Sequence, residues 1–258
     1  MAIITFMSDF GHRDHYVAAV KAKIFNYNQT INIVDISHEI ELFNIPHAAY
    51  VLKSVFRDFP KGTVHLAAVN APSGQDEKPI AVKLEEHYFV GMDNGLFSLI
   101  SEKPPTAIVE LNRDSSYSRH FPAKTVLASA AVSLASGISI YNLGMQISSL
   151  RSMLNRQLRI TKSMIAGHII HVDKYGNLMT NITSDVFEKH AAGRNFTINF
   201  AREAIDNFSE GYDSSDNGDI VVLFNSNGVL EIAISQGNAS ELLGLGFDSP
   251  VSIHFVGE

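Results

Sequence analysis

The feature that most limits what this chain can fold into is an alternation over its first seventy residues. Short β-branched runs end in polar residues, and stretches with helical spacing follow the first two. Ile3 to Met7 is apolar and closes on Ser8-Asp9-Phe10-Gly11, after which Tyr16, Val17, Val20 and Ile24 recur with helical spacing. Ile31 to Ile36 closes on Ser37-His38-Glu39, Ile45 to Phe56 is again helical in period, and Thr63 to Val69 closes on Asn70. Strand, helix and strand in this order predict an α/β domain with a mostly parallel sheet and right-handed crossovers. Asp9, His38 and Asn70 then lie just beyond the carboxyl ends of strands, where open α/β sheets hold their ligands.

Two further strands, Ile80 to Leu84 and Tyr88 to Gly91, precede Asp93-Asn94-Gly95, a turn signal in its own right. Ala128 to Ala135 is rich in Ala and Ser and predicts a helix that packs closely on the sheet. Beyond the polar stretch Arg151 to Arg159 the texture changes to short β runs: Ile165 to Val172, Phe196 to Phe200, Ile220 to Phe224, Val229 to Ile234 and Val251 to Phe255. This places a boundary near residue 160, with an α/β N-terminal domain over 1–160 and a small β-rich, barrel-like C-terminal domain over 161–258. Asp206 to Asp219, with its Ser, Asp and Gly, reads as a surface loop.

With 258 residues, 45% of them hydrophobic, the chain can bury a substantial core. Its net charge of -7 carries no long basic or acidic run, which argues against a nucleic-acid partner. The absence of cysteine excludes disulfides, thiolate metal sites and a cysteine nucleophile. No run reaches the roughly 18 apolar residues needed to span a bilayer, and the start lacks a signal-peptide pattern, so a soluble, cytoplasmic protein without a membrane partner is expected.

The segment from His171 to Ile182 sets Asp173, Tyr175 and Asn177 on a short stretch between two apolar runs. A carboxylate, an aromatic face and an amide together suit a nucleoside or an amino acid, and Tyr-Gly-Asn is equally good hairpin-turn material. No phosphate-binding glycine loop, dinucleotide fingerprint, nucleophile elbow or His-Glu-x-x-His helix is present. His168 and His171 lie three apart on a predicted strand and point to opposite faces, which disfavours chelation by both.

Read in order, Ser8-Asp9-Phe10-Gly11 with Asp14 and Tyr16, Val34-Asp35-Ile36-Ser37-His38-Glu39-Ile40, Asp93-Asn94-Gly95-Leu96, Asp173-Lys174-Tyr175-Gly176-Asn177 with Thr180-Asn181-Ile182, Asn225-Ser226-Asn227-Gly228 and Gln236-Gly237-Asn238-Ala239 follow a family pattern. The chain resembles the S-adenosylmethionine hydroxide adenosyltransferase family, relatives of fluorinase and chlorinase, nearly end to end. The resemblance implies a two-domain subunit in a homotrimer, with the ligand between one subunit's N-terminal domain and its neighbour's C-terminal domain. It implies Asp9 on the ribose hydroxyls, Asp14 and Tyr16 at the amino-acid end of the ligand, and Phe43 flanking the nucleoside. From the other domain it implies Asp173 on the methionine ammonium, Tyr175 stacked on adenine, Asn177 reading the adenine edge and Ser226 near the methionine carboxylate. Read without it, Asp14 is a helix cap and Phe43 a core residue.

The family pattern also implies water activation by an Asp and an Arg in a V-D-P-G-V-G-T-x-R-R-like segment and by a His in a T-F-H-G-R-D-like segment. Here the first reads Val69-Asn70-Ala71-Pro72-Ser73-Gly74-Gln75-Asp76-Glu77-Lys78, and the second His120-Phe121-Pro122-Ala123-Lys124-Thr125. Asn70 stands at the Asp position, Glu77 or Lys78 at the Arg position and Pro122 at the His position. Asn70 can orient a water but cannot act as its base, which leaves His120, Asp93 or Glu77 to replace it. The expected function is hydrolysis of S-adenosyl-L-methionine to adenosine and methionine by water attack at ribose C5′, with no cofactor or metal. The alternatives are a catalytically inactive binder of S-adenosylmethionine or adenosine, and a metal-dependent hydrolase built on Asp9, His38 and Asp93.

Overall fold

The computed structural model describes residues 2–71, 77–113, 118, 120–154 and 156–256, and the chain divides into two units, Met1–Asn155 and Arg156–Glu258. The first unit begins with β1 (Ile3–Ser8), α1 (Tyr16–Tyr27), β2 (Asn32–Ser37), α2 (Ile45–Val55) and β3 (Val64–Ala68). It continues through β4 (Pro79–Leu84), β5 (His87–Met92), α3 (Leu96–Leu99), β6 (Ala107–Leu111), α4 (Ala128–Ala135) and β7 (Gly144–Gln146). These strands form one sheet in the order β2-β1-β3-β5-β4-β6-β7. One apolar core gathers α1 and α4 residues such as Val20, Ile24 and Leu134, and a second gathers Ala48, Leu52 and Leu99 of α2 and α3.

The sheet is mixed, which corrects the mostly parallel sheet expected from the sequence. Strands β2, β1, β3 and β5 are mutually parallel, but β4, β6 and β7 join by antiparallel pairing. The reversal occurs at Glu85-Glu86, whose φ values of 48° and 67° are those of a tight hairpin turn that usually takes Asn-Gly. Two glutamates give no turn signal in sequence. Side-chain partners offset the unfavourable backbone: Arg57 forks onto Glu85 at 2.6 and 3.2 Å, and Ser101 and Lys103 also donate to it. The Arg57 hydrogen bonds in particular hold the Glu85 carboxyl down at about 2.

The parallel strands position the functional loops. Asp9, His38, Asn70 and Asn94 follow the carboxyl ends of β1, β2, β3 and β5, four adjacent strands running in one direction. Loops emerging there converge on one end of the sheet.

The second unit contains β8 (Arg159–Ile160), β9 (Met164–Val172), β10 (Leu178–Thr183), α5 (Ser184–Ala191), β11 (Asn195–Phe200) and β12 (Glu203–Ile205). It ends with β13 (Ile220–Phe224), β14 (Val229–Ile234), α6 (Ala239–Leu243) and β15 (Pro250–Val256). All pairings are antiparallel, in the order β12-β11-β15-β9-β10-β14-β13. The first half of β9 pairs with β15 and the second half with β10, so this long strand turns a corner and gives the sheet its barrel-like form around Ile165, Ile169, Ile232 and Ile253. No helix among the described residues is long and apolar enough to cross a membrane.

Across the first sheet, Thr5 Oγ1 lies 2.8 Å from His65 Nδ1, and His65 Nε2 lies 3.1 Å from His87 Nδ1. Burial, and then the neighbouring His87 ring, push the His65 imidazole down to about 3. Burial also lowers His38, His47, His87 and His168. An unfolded imidazole takes its proton near 6.5, so between that value and about 3 the unfolded chain binds more protons and stability falls with pH. The thermal unfolding midpoint should be level above pH 6.5 and drop as the pH falls toward 3, with a shallower slope for His65→Gln. A flat midpoint across that range in the wild type contradicts buried neutral histidines.

Candidate functional site

Each unit carries a cavity in which polar side chains are set among apolar ones. The first, of about 380 Å³, is lined by Asp9, Phe10, Tyr16, Leu42, Phe43, Ala71, His120 and Phe121. Four of the residues expected from sequence, Asp9, Tyr16, Phe43 and His120, are thereby gathered although more than a hundred positions separate the first from the last.

Asp9 organises this cavity. Only 7% exposed, it accepts backbone N–H hydrogen bonds on Oδ2 from Phe43 at 3.1 Å and from Asn70 at 3.0 Å. Both donors have left-handed backbone, φ 63° for Phe43 and 52° for Asn70. Asn tolerates that region readily, whereas an aromatic residue there is strained, and such strain persists only where the surroundings enforce it. Among the described residues Oδ1 of Asp9 receives no hydrogen bond. One oxygen thus fixes the loops, and the other is uncommitted.

The turn after β5 holds the same region from below the loop. Asn94, 6% exposed, donates from Nδ2 to the carbonyl of Val69 at 3.0 Å, next to Asn70. Gly95 has φ 97°, and a Cβ there would sit 2.3 Å from Met153 Cγ. The Asp-Asn-Gly turn is therefore a bracket for the β3 loop.

Phe10, Tyr16 and Phe121 form an aromatic cluster with ring centroids 5.5 to 5.9 Å apart. Phe43 is 69% exposed, so it is not a core residue. Asp14 is exposed in the turn before α1 and does not cap it, because the N-cap is His15. Asn70 reaches the cavity's framework through its backbone, and Ala71 supplies the lining beside it.

The replacement bases raised by the sequence separate here. Asp93 Oδ1 accepts the Arg151 backbone N–H at 2.9 Å, Glu77 pairs with the Arg151 guanidinium at 2.7 Å, and Lys78 pairs with Glu110. His120 instead lines the cavity with Asp9. Pro122 starts a π-helical turn over Ala123–Leu127 that runs into α4, a position where its missing N–H costs nothing. Pro72 to Asp76 of the other altered segment lie outside the described residues. Among the described residues no group of three or more His, Asp or Glu side chains could hold a metal ion.

The second cavity, of about 670 Å³, is lined by Asp173, Tyr175, Asn177, Tyr212 and the run Ala233 to Asn238. Its β9–β10 loop is a hairpin folded around Asp173. Oδ1 accepts the backbone N–H groups of Tyr175 and Asn177, both at 2.9 Å, and Oδ2 accepts Asn177 Nδ2 at 3.2 Å. An ionised carboxylate offers about four lone-pair directions, so three are used and one remains. Asn177, whose nitrogen faces the carboxylate, keeps its amide oxygen for another partner. Tyr175 is 78% exposed.

Tyr212 was read from sequence as part of a surface loop, yet it lines this cavity. Its hydroxyl donates to Glu231 Oε1 at 2.7 Å, and Asn225 donates to Oε2 of the same buried carboxylate at 2.9 Å. The only sequence signal was an aromatic, one of two with Phe208, within a Ser, Asp and Gly stretch. Ser226 is not gathered with Asp173: it is exposed in the β13–β14 turn, at the opposite end of that hairpin from Ala233 to Asn238.

Known proteins share this architecture. Residues 4–144 match the SAM hydroxide adenosyltransferase N-terminal domain and residues 167–252 the SAM hydroxide adenosyltransferase C-terminal domain. The (R)-S-adenosyl-L-methionine hydrolase of Methanocaldococcus jannaschii is 32% identical over 97% of this chain and 95% of its own. The hydrolase of the same name from Thermus thermophilus is 29% identical over 98% of this chain and its entire length, and a fluorinase from Actinopolyspora mzabensis is 23% identical over 90% of each. The crystal structure of an uncharacterized conserved protein from Thermotoga maritima superposes with a TM-score of 0.90 at 30% identity, covering 97% of this chain and 99% of that one.

Between Tyr175 and Asn177, Gly176 has φ 86° and an ideal Cβ position only 2.0 Å from Asn238 Oδ1. Gly176→Ala should destabilise the second unit by about 2 kcal/mol or more through backbone strain and steric overlap. Urea unfolding checks this, and an unchanged midpoint would show that the Asp173 hairpin does not need its left-handed glycine.

Proposed function

Because this chain belongs to the SAM hydroxide adenosyltransferase family, we propose that it hydrolyses S-adenosyl-L-methionine to adenosine and L-methionine by attack of water at ribose C5′. The observation that carries the reading is the half-committed carboxylate of Asp9. Its Oδ2 is saturated by two backbone N–H groups, and Oδ1 keeps the acceptor capacity that a ribose diol requires. The aromatic faces of Phe10, Tyr16 and Phe121 in the same cavity suit a sulfonium cation.

In the second cavity Tyr175 stacks on adenine, and Asn177 accepts the adenine amino group because its own nitrogen is engaged with Asp173. The last free direction of Asp173 takes the methionine ammonium. Asp14 serves the amino-acid end of the ligand and Phe43 flanks the nucleoside. The complete site combines the first unit of one subunit with the second unit of a neighbour in a homotrimer. The exposure of Phe43 and Tyr175, at 69% and 78%, supports surfaces that are covered on assembly or binding.

In the reaction the C5′–S bond breaks, the sulfur leaves with the electron pair as neutral methionine thioether, and water oxygen bonds to C5′ from the opposite side. The sulfonium is already an activated leaving group, so alignment and exclusion of bulk water supply much of the acceleration. Water must still lose a proton. His120 takes it, because it lines the cavity with Asp9 whereas Asp93 and Glu77 are engaged with Arg151. A second reading, binding without turnover, draws on Asn70 and Pro122 at positions where the family resemblance implies water-activating side chains.

Incubation with S-adenosylmethionine and chromatography of the products separates the two. Equal amounts of adenosine and methionine are expected, and no product alongside measurable adenosine binding would leave only the binder. His120→Ala should lower kcat by roughly 10²- to 10⁴-fold with KM little changed, the range for loss of a general base. An undiminished kcat would remove His120 from the chemistry.

A further inference from the structure

Behind the Asp9 loop a polar chain with no place in the chemistry above runs from the buried Ser8 and His38 out to the exposed Asp35. Ser8, at 0% exposure, has its Oγ 2.7 Å from His38 Nδ1, and His38, at 1%, has its Nε2 3.2 Å from Asp35 Oδ1. Lys21 pairs with Asp35 from α1. Ser, His and Asp in this order resemble a hydrolytic triad, but a nucleophile must meet substrate and Ser8 is sealed from solvent. Its hydroxyl oxygen is instead engaged within the turn, accepting the Phe10 N–H at 3.4 Å.

The contacts of His38 share one target. Its ring takes the Ser8 hydroxyl, and its backbone carbonyl accepts the Gly11 N–H at 2.7 Å. The turn Ser8-Asp9-Phe10-Gly11 is thus gripped at both ends by one residue. Phe6 and His12 pack edge-on against the ring, with centroids 4.6 and 5.1 Å away, and fix its plane. The His38 Nε2 approach to Asp35 lacks hydrogen-bond alignment, so that contact orients the ring electrostatically. Burial keeps the imidazole below its usual range, against the opposing pull of Asp35. In the neutral ring with its proton on Nε2, Nδ1 is an acceptor, and Ser8 donates to it while receiving Phe10.

We infer that His38 is a positioning residue which, through Ser8 and Gly11, holds the Asp9 carboxylate in the orientation that grips the ribose hydroxyls; the inference rests on the proposed role of Asp9. It touches no substrate. A carboxylate rotated out of register keeps its charge but loses the paired acceptor geometry, so the loss is specific to the ribose hydroxyls.

The test compares affinity for adenosine with affinity for 2′,3′-dideoxyadenosine by calorimetry in the wild type, Ser8→Ala, His38→Leu and His38→Asn. The wild type should favour adenosine by roughly 10- to 100-fold, the range for hydrogen bonds to a charged acceptor. Ser8→Ala and His38→Leu should bring that ratio close to one while dideoxyadenosine binding persists. His38→Asn, which retains an acceptor near the Nδ1 position, should restore part of it. General destabilisation would weaken both ligands alike and leave the ratio intact, which overturns the inference. Ser8→Ala, a small change, carries the same test if His38→Leu does not fold. A wild type indifferent to the ribose hydroxyls would overturn the reading of Asp9 itself, and the positioning role with it.

Discussion

The first unit depends on one carboxylate oxygen. Asp9 Oδ2 receives two backbone N–H groups, one from the loop after β2 and one from the loop after β3, and so ties three neighbouring strand ends together. Hydrogen bonds to a charged acceptor contribute about 1.5 to 3 kcal/mol each, against roughly 1 to 2 kcal/mol for each residue held in left-handed backbone. The balance is close to neutral or modestly favourable. Stability is thus a secondary result. The main one is geometric: Phe43 stands exposed at the cavity, Ala71 lines it, and a second carboxylate oxygen is left over inside a largely apolar wall.

The second unit uses the same device on a hairpin. Asp173 spends three of about four acceptor directions on its own loop, and the polarity of Asn177 follows from that commitment. In both cavities an acidic side chain is ordered by backbone or amide donors before any ligand arrives, which reduces the reorganisation that binding demands. Both cavities also pair the carboxylate with exposed aromatic rings. That combination suits a cationic ligand carrying a planar base.

Much of this was legible in the sequence because periodicity reports burial. The runs around β1, α1, β2, α2 and β3 alternate period with little ambiguity, and Asp9, His38 and Asn70 fall at strand ends for the same reason. The direction of β4 was not legible. It is set at Glu85-Glu86, a turn stabilised by Arg57, Ser101 and Lys103 rather than by turn-forming residues. Tyr212 was hidden for a related reason, since a buried Glu231 on another strand, not its own neighbours, brings it to the cavity. Ser226, which the family resemblance implies near the methionine carboxylate, lies in the turn that joins β13 to β14.

Asp9→Asn isolates the contribution of the unshared Asp9 oxygen. The amide oxygen can still accept from Phe43 and Asn70, while the amide nitrogen replaces the free acceptor with a donor. The variant should melt close to the wild type, and calorimetric titration with adenosine should show its affinity lowered by roughly 10-fold or more. Wild-type affinity in a folded Asp9→Asn protein would contradict the central claim.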